Sequence, residues 1–335
     1  LNPSDTPIAV IGAGTVGSIL IGHLLKAGYD DIYILDVPKR IEQIREKGIH
    51  LGKDESIAVN PATLVTDLRE LEGKAIRTII VSTKATDLVK VCPGIQKIHR
   101  PGTWVVSFQN GIGTENFIGK YVDPMWVARA TVNYAGVRNE DSGDISMSWF
   151  HPPNFVGPWQ VQDIAPLERF AALLTEVGLE SKAVHRDEMK RMVFFKAVLN
   201  AALNALCATT GLTMSQAMDM KHTRLFARQL LQEGLTVGVQ MGYHYGEDVL
   251  ETCIGYLEKG GNHFPSMWND LQRNRRTEID FINGKIVKLG MMFRHVSVDL
   301  NMFFTTMVMT REILSGVRTI AEVPDYLGCP IRHCY

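Results

Sequence analysis

Apolar and polar positions change period about halfway along the chain. In the first half, short and nearly continuous apolar runs alternate with segments whose apolar residues recur every three or four positions. "IAVIGAG" is one such run, closed by glycines, and "TVGSILIGHLLKAG" after it carries Val16, Ile19, Leu20, Leu24 and Leu25 at helical spacing until Gly28. "DIYILD" is the next apolar run and ends in Asp36. "RTIIVSTK" and "TWVVSFQNG" repeat the form, and uninterrupted apolar strands of this kind belong in a parallel sheet covered on both faces. The first ends in Lys84, the second in Gln109, Asn110 and Gly111. Between residues 126 and 160, "WVARATVNYAGV", "GDISMSWF" and "NFVGPW" predict short, turn-rich strands that extend the sheet in antiparallel fashion. "QDIAPLERFAALLTEVG" predicts one more helix, and the polar stretch "ESKAVHRDE" the exit to a second domain.

From Met189 onward the apolar period is helical, with predicted helices over "MKRMVFFKAVLNAALNALCA", "TRLFARQLLQEGLTVGVQMG", "SMWNDLQ", "TEIDFINGKIVKLG" and "NMFFTTMVMTREILSG". The expected fold is an α/β Rossmann-type N-terminal domain over residues 1–186 and an all-α C-terminal domain over residues 187–335.

The glycines give the first half its chemistry. Gly12, Gly14 and Gly17 form G-x-G-x-x-G between a strand and a helix, where missing β-carbons allow the turn, the approach of a pyrophosphate and close helix packing. The loop Gly12, Ala13, Gly14, Thr15, Val16 and Gly17 is therefore the candidate dinucleotide site; the alternative is a tight turn that binds nothing. Asp36 suits the ribose hydroxyls of NAD and repels the 2'-phosphate of NADP. Lys39 and Arg40 pull the other way if they reach such a phosphate, and are otherwise the solvated start of a helix. Local charge leans to NADH. Ligands of open α/β sheets lie beyond the carboxyl ends of the strands, so Lys84 and Asn110 are expected beside the glycine loop, unless each only pins its own turn.

Composition narrows the classes. Lys and Arg number 35 against 36 Asp and Glu, with no basic cluster, so a nucleic-acid partner is not expected. The five cysteines show neither CxxC nor zinc-site spacing, so no metal is expected. The N-terminal residues lack the order of regions of a signal peptide, and no membrane segment is expected; the expectation is a cytoplasmic protein. The methionine-rich run "MMFRHVSVDLNMFFTTMVM" is either helix core or a surface for a homodimer.

In "FFKAVLNAALNALCATTG", Lys196, Asn200 and Asn204 stand four apart and make one polar stripe, about 12 Å long, on an otherwise apolar helix. Burying such groups unpaired is costly. The stripe therefore either faces a cleft and meets ligand, or forms a hydrogen-bonded interior network. Glu278, beside the apolar face Ile279, Ile282, Ile286 and Leu289, either pairs with a cleft lysine or caps its helix. Ser266 is likewise a helix cap or a donor to a ligand carboxylate.

With its glycine loop, the lysine of "VSTKATD", "QNGIG", "KAVLNAALN" and above all "SMWNDLQRNRRTEIDFINGK", the chain resembles the ketopantoate reductase family over most of its length. The resemblance implies Lys196 as proton donor to a ketone oxygen and Glu278 as the acid paired in the cleft. It implies Asn200, Asn204 and Ser266 as substrate-binding, Asn110 as orienting cofactor or substrate, and Lys84 at the nicotinamide end. It further implies NADP, the family's usual preference, and Asp36 departs from it, since members with that preference commonly have a basic or neutral residue at this place. The expected partner is a small 2-keto acid. Two alternatives remain: another 2-keto acid reduced by the same residues, and a non-catalytic dinucleotide-responsive module that docks a protein.

Overall fold

The computed structural model describes residues 7–52, 56–139, 142–161 and 163–326. Residues 1–6, Cys329 and Cys334, on which the leader and cysteine expectations partly rest, lie outside them. Two units form: one holds the chain up to Gln109 with Thr114–Lys190, the other holds Asn110–Gly113 with the chain from Arg191 onward.

The first unit runs β1 (Ile8–Ile11), α1 (Thr15–Lys26), β2 (Ile32–Leu35), α2 (Pro38–Lys47), β3 (Ile49–His50), β4 (Ser56–Ile57), β5 (Leu64–Val65), β6 (Thr78–Val81), α3 (Leu88–Ile98) and β7 (Trp104–Ser107). It continues through α4 (Thr114–Ile118), β8 (Val127–Thr131), β9 (Tyr134–Arg138), β10 (Ile145–Phe150), β11 (Asn154–Pro158), α5 (Ala165–Glu176) and β12 (Ser181–Ala183). The main sheet has the order β12-β11-β8-β7-β6-β1-β2-β5.

From β5 to β8 all neighbours are parallel, and the order reverses at β1, where the chain goes first to β2 and later to β6. This is the Rossmann arrangement with its switch point between β1 and β6. β1 and β7 are buried throughout, as continuous apolar strands require. Ile8, Val10, Ile19, Leu24, Ile34 and Val106 belong to the core between sheet and helices, and each such side chain contributes about 1.5–3 kcal/mol on burial.

Three expectations are corrected here. Of the residues 126–160, only β11 extends the sheet antiparallel; β8 joins it parallel, and β9 with β10 leaves it as a separate hairpin. The Tyr134 hydroxyl donates to the Val16 carbonyl at 3.2 Å, which ties that hairpin to α1. "ESKAVHRDE" is more than an exit, because Ser181–Ala183 forms β12 parallel to β11.

The helical chain begins with α6 (Arg186–Thr210), followed by α7 (Met214–Asp219), α8 (Lys221–Gln240), α9 (Val249–Glu258), α10 (Ser266–Gln272), α11 (Asn283–Gly290) and α12 (Asp299–Leu314). The helical period leaves α7 and α9 unassigned. α7 starts with a capping box between Thr213 and Gln216. By length and apolarity α6 passes for a membrane span, yet most of its apolar window is buried within the protein, as in a core helix.

Glycines set how α6 packs. A Cβ on Gly234 would lie 2.9 Å from both methyls of Val198, and one on Gly238 would lie 2.9 Å from Phe194 Cε1, so α8 approaches α6 along these two positions. The predicted single helix over "TEIDFINGKIVKLG" is broken. Ile279–Phe281 is a 3-10 turn, Ile282 takes φ −110° and ψ −98°, and the α-helix starts only at Asn283. The Phe281 carbonyl, which a continuous helix would commit to residue 285, instead accepts the Ile112 N–H at 2.8 Å. Leu289, expected on the buried face, is half-buried.

Candidate active site

In the first unit, β1 ends at Ile11 and the chain turns through Gly12, whose φ of +103° suits glycine. A Cβ there would lie 2.7 Å from the Thr83 backbone nitrogen, and one on Gly17 would collide with the Gly12 carbonyl oxygen. Both glycines are therefore fixed by the protein itself. Gly14 differs: its φ is −70°, and nothing in the chain lies within 4 Å of its Cβ position. It is also the N-cap of α1, with no side-chain cap bond and no acid in the first turn formed by Thr15, Val16 and Gly17. The Ala13 side chain is buried.

Asp36 stands at the end of β2. One carboxylate oxygen accepts the Ala13 N–H at 2.6 Å and the other the Val37 N–H at 2.7 Å, so the acid is held against the glycine loop. Arg40 takes neither of its expected places. It is buried, donating from Nε to the Ala13 carbonyl at 3.1 Å, from Nη2 to Ser18 Oγ at 3.1 Å and from Nη1 to Gln43 Oε1 at 2.6 Å. Orphan acceptors inside the loop draw the guanidinium inward. Lys39 is exposed.

Lys84 is half-buried at the end of the loop after β6 and heads a 3-10 turn, its carbonyl accepting the Asp87 N–H. That loop abuts the glycine turn through Ser82 Oγ, which donates to the Gly12 carbonyl at 2.7 Å. Gln109, two residues past β7, braces it, with Nε2 donating to the Thr83 carbonyl at 3.0 Å. Asn110 follows Gln109 directly and opens the loop 110–113, which groups with the helical unit.

In that unit, Lys196, Asn200 and Asn204 are all half-buried on α6, between the fully buried Ala197, Val198, Ala201 and Leu203. Helix residues two apart point about 160° from each other, so the stripe faces away from the Phe194 and Val198 contact with α8. Neither asparagine carboxamide holds a protein hydrogen bond among the described residues, which removes the interior-network reading for them. An interior polar network exists elsewhere. Asn283 Nδ2 donates to the Ala201 carbonyl at 3.0 Å and to Asn301 Oδ1 at 3.1 Å, and Asn301 Nδ2 to Glu233 Oε2 at 2.7 Å.

Glu278 is half-buried and precedes the 3-10 turn without capping it by its side chain. Ser266 is exposed as the first residue of α10 and makes no side-chain cap bond either. Capping by a side-chain hydrogen bond is thus not the role of either residue. On either side of Ser266 in the chain, Phe264 and Trp268 stack with ring centroids 3.8 Å apart. Burial pushes the Cys207 and Cys92 thiols up to about 12 and the Cys253 thiol to about 11, so these cysteines offer no nucleophile at neutral pH.

Sequence reasoning missed the charges that hold the Glu278 turn. Glu312 is fully buried and accepts the Thr277 N–H at 2.6 Å and Arg318 Nε at 2.6 Å. Arg318 also spans both oxygens of Asp280, at 3.2 and 2.5 Å, and Arg276 pairs with Glu322 at 3.1 Å. The cluster "RNRRTEID" shows charge without showing which charges turn inward.

A Rossmann-type sheet followed by an all-helical unit is the fold of solved ketopantoate reductase-family proteins and of D-mandelate dehydrogenase. The chain belongs to the ketopantoate reductase PanE/ApbA family, matching its N-terminal part over residues 8–153 and its C-terminal part over residues 188–312. It is similar to 2-dehydropantoate 2-reductase of Archaeoglobus fulgidus, 28% identical over 92% of this chain and 98% of the other. A PanE/ApbA family ketopantoate reductase from Ralstonia eutropha JMP134 superposes with a TM-score of 0.81 at 23% identity, over 92% of this chain and 99% of that one. D-mandelate dehydrogenase, solved with NADH and anilino(oxo)acetate, gives 0.80 at 24% identity over the same shares.

Proposed function

We propose that the protein reduces a 2-keto acid with a reduced nicotinamide dinucleotide, ketopantoate being the first substrate to test. One observation carries this reading: α6 presents a lysine and two asparagines on one half-buried face, with neither carboxamide hydrogen-bonded among the described residues.

The first unit's loop supports the cofactor. The open side of Gly14 and the uncapped start of α1 suit a pyrophosphate approaching backbone N–H groups. A bound reduced nicotinamide supplies the hydride. Lys196 polarises the substrate carbonyl as an ammonium, stabilises the alkoxide that develops and gives it a proton. Asn200 and Asn204 offer donors and acceptors to a substrate hydroxyl, Ser266 donates to its carboxylate, and Asn110 orients it. Glu278 is the acid assigned to Lys196, and Lys84 is assigned to the nicotinamide end.

For the choice of dinucleotide, Asp36 and the inward-turned Arg40 both favour NADH. This also favours a second reading, another 2-keto acid reduced by the same residues, because the similar D-mandelate dehydrogenase was solved with NADH. Absorbance assays with ketopantoate and a panel of 2-keto acids, run with NADH and NADPH separately, distinguish the readings. Consumption with none of them would overturn both.

Two smaller predictions test the nucleotide side. Asp36→Ala should narrow the NADH-over-NADPH ratio of kcat/KM by about tenfold, roughly 1.4 kcal/mol; an unchanged ratio means Asp36 does not read the ribose. Gly14→Ala should keep Tm, because its Cβ meets nothing, while raising Kd for the dinucleotide by at least about tenfold. Fluorescence titration showing native affinity in that variant would remove the pyrophosphate from this loop.

A further inference from the structure

Arg129 lies within β8, buried to 2% exposure, and its register partner on β7 is Ser107, the last residue of that strand. The guanidinium donates to Ser107 Oγ at 2.8 Å and to Thr114 Oγ1, and pairs with buried Glu115 at 3.5 Å. Ser107 Oγ and Thr114 Oγ1 are themselves 3.0 Å apart, and Ser107 Oγ donates to Gln109 Oε1 at 3.0 Å. One cation thus ties together the outgoing stem, Ser107 and Gln109, and the returning stem, Thr114 and Glu115.

Between those stems lies the loop 110–113, which groups with the helical unit. Its Ile112 N–H donates to the Phe281 carbonyl, and Gly111, at φ +86°, lies so close that a Cβ would stand 2.6 Å from that same oxygen. The crown of the loop is therefore seated on the turn that follows Glu278. Asn110 is the first residue beyond the outgoing stem.

We propose that Arg129 is a positioning residue for Asn110, acting through Ser107, Gln109 and Thr114 without touching substrate. The proposal rests on the reading of Asn110 as a substrate-orienting group. Arginine suits the role because its planar fork presents several donors in fixed directions, whereas a lysine is a single mobile point charge. Buried hydrogen bonds from Nη1 to two hydroxyls hold both stems in one arrangement, while Nε meets Glu115 only as an ion pair. Through Gln109 the same network reaches the Thr83 carbonyl, next to Lys84.

The test is Arg129→Lys in the full chain, which keeps a cation opposite Glu115 and gives up the fork. Amide exchange at Gly111, Ile112 and Gly113 should speed up by at least about tenfold while β1 and α1 keep native protection. KM for the best 2-keto acid should rise about tenfold, with kcat changed less than about threefold. Should that variant fold poorly, Thr114→Val, which removes one hydroxyl that accepts from Arg129 and donates to Glu115, should move both readouts the same way and less far. Native exchange in the loop overturns the proposal, and so does faster exchange with a native KM. A wild type that reduces no 2-keto acid fails the functional reading alone; the exchange measurement still decides whether Arg129 holds the loop.

Discussion

Lys196→Ala is expected to lower kcat for keto-acid reduction by at least about 100-fold, the usual worth of a placed general acid. The ammonium is assigned to the oxygen that gains charge, so its loss raises the barrier more than it weakens substrate binding. Dinucleotide affinity should stay within about twofold, because Lys196 and the glycine loop belong to different units. Lys196→Arg should fare little better, since a guanidinium keeps the charge and does not release a proton near neutral pH. Single-turnover and steady-state rates at saturating keto acid check both variants. Near-native turnover in the alanine variant would hand the proton to another group and leave the α6 stripe without its assigned role.

The second large effect is on stability. Glu312→Ala strips the fully buried Arg318 of one of its two carboxylates and leaves the Thr277 N–H without its acceptor. Removing one member of a buried ion pair costs about 3–5 kcal/mol. For a protein of this size that is a fall in Tm on the order of 10 °C. The double variant Glu312→Met with Arg318→Met should lose less, because no buried charge is then stranded. Calorimetry of the three proteins decides the matter; a single variant within about 1 kcal/mol of wild type would show that water or a neighbour relieves Arg318. Since Thr277 precedes Glu278, the single variant should also lose activity well below its Tm.

What was legible in the chain was whatever follows from local sterics and period. Gly12 and Gly17 declare themselves because the turn admits no β-carbon, and Lys196, Asn200 and Asn204 because four-residue spacing puts them on one helix face. What was not legible depends on partners brought from afar. Arg129 meets Ser107 across 22 residues and Arg318 meets Asp280 across 38, so the apolar strand "WVARAT" hints at a buried charge without naming its partners. The helix break at Ile282 is set by Ile112, far upstream. Arg40 was placed outward on charge alone, whereas the Ala13 carbonyl and Ser18 hydroxyl, on another element, draw it in. β12, with three residues, is too short for a period to show.

The excursion at Asn110–Gly113 bears on how this molecule can be taken apart. A gene truncated after Lys190 would still encode Gly111 and Ile112, but not Phe281, the residue that receives them. A fragment beginning at Arg191 would carry a turn whose carbonyl has lost its donor. Neither half is a module to be lifted out or grafted, and chimaeras spliced at the obvious midpoint should inherit a mismatch some eighty residues upstream of the seam.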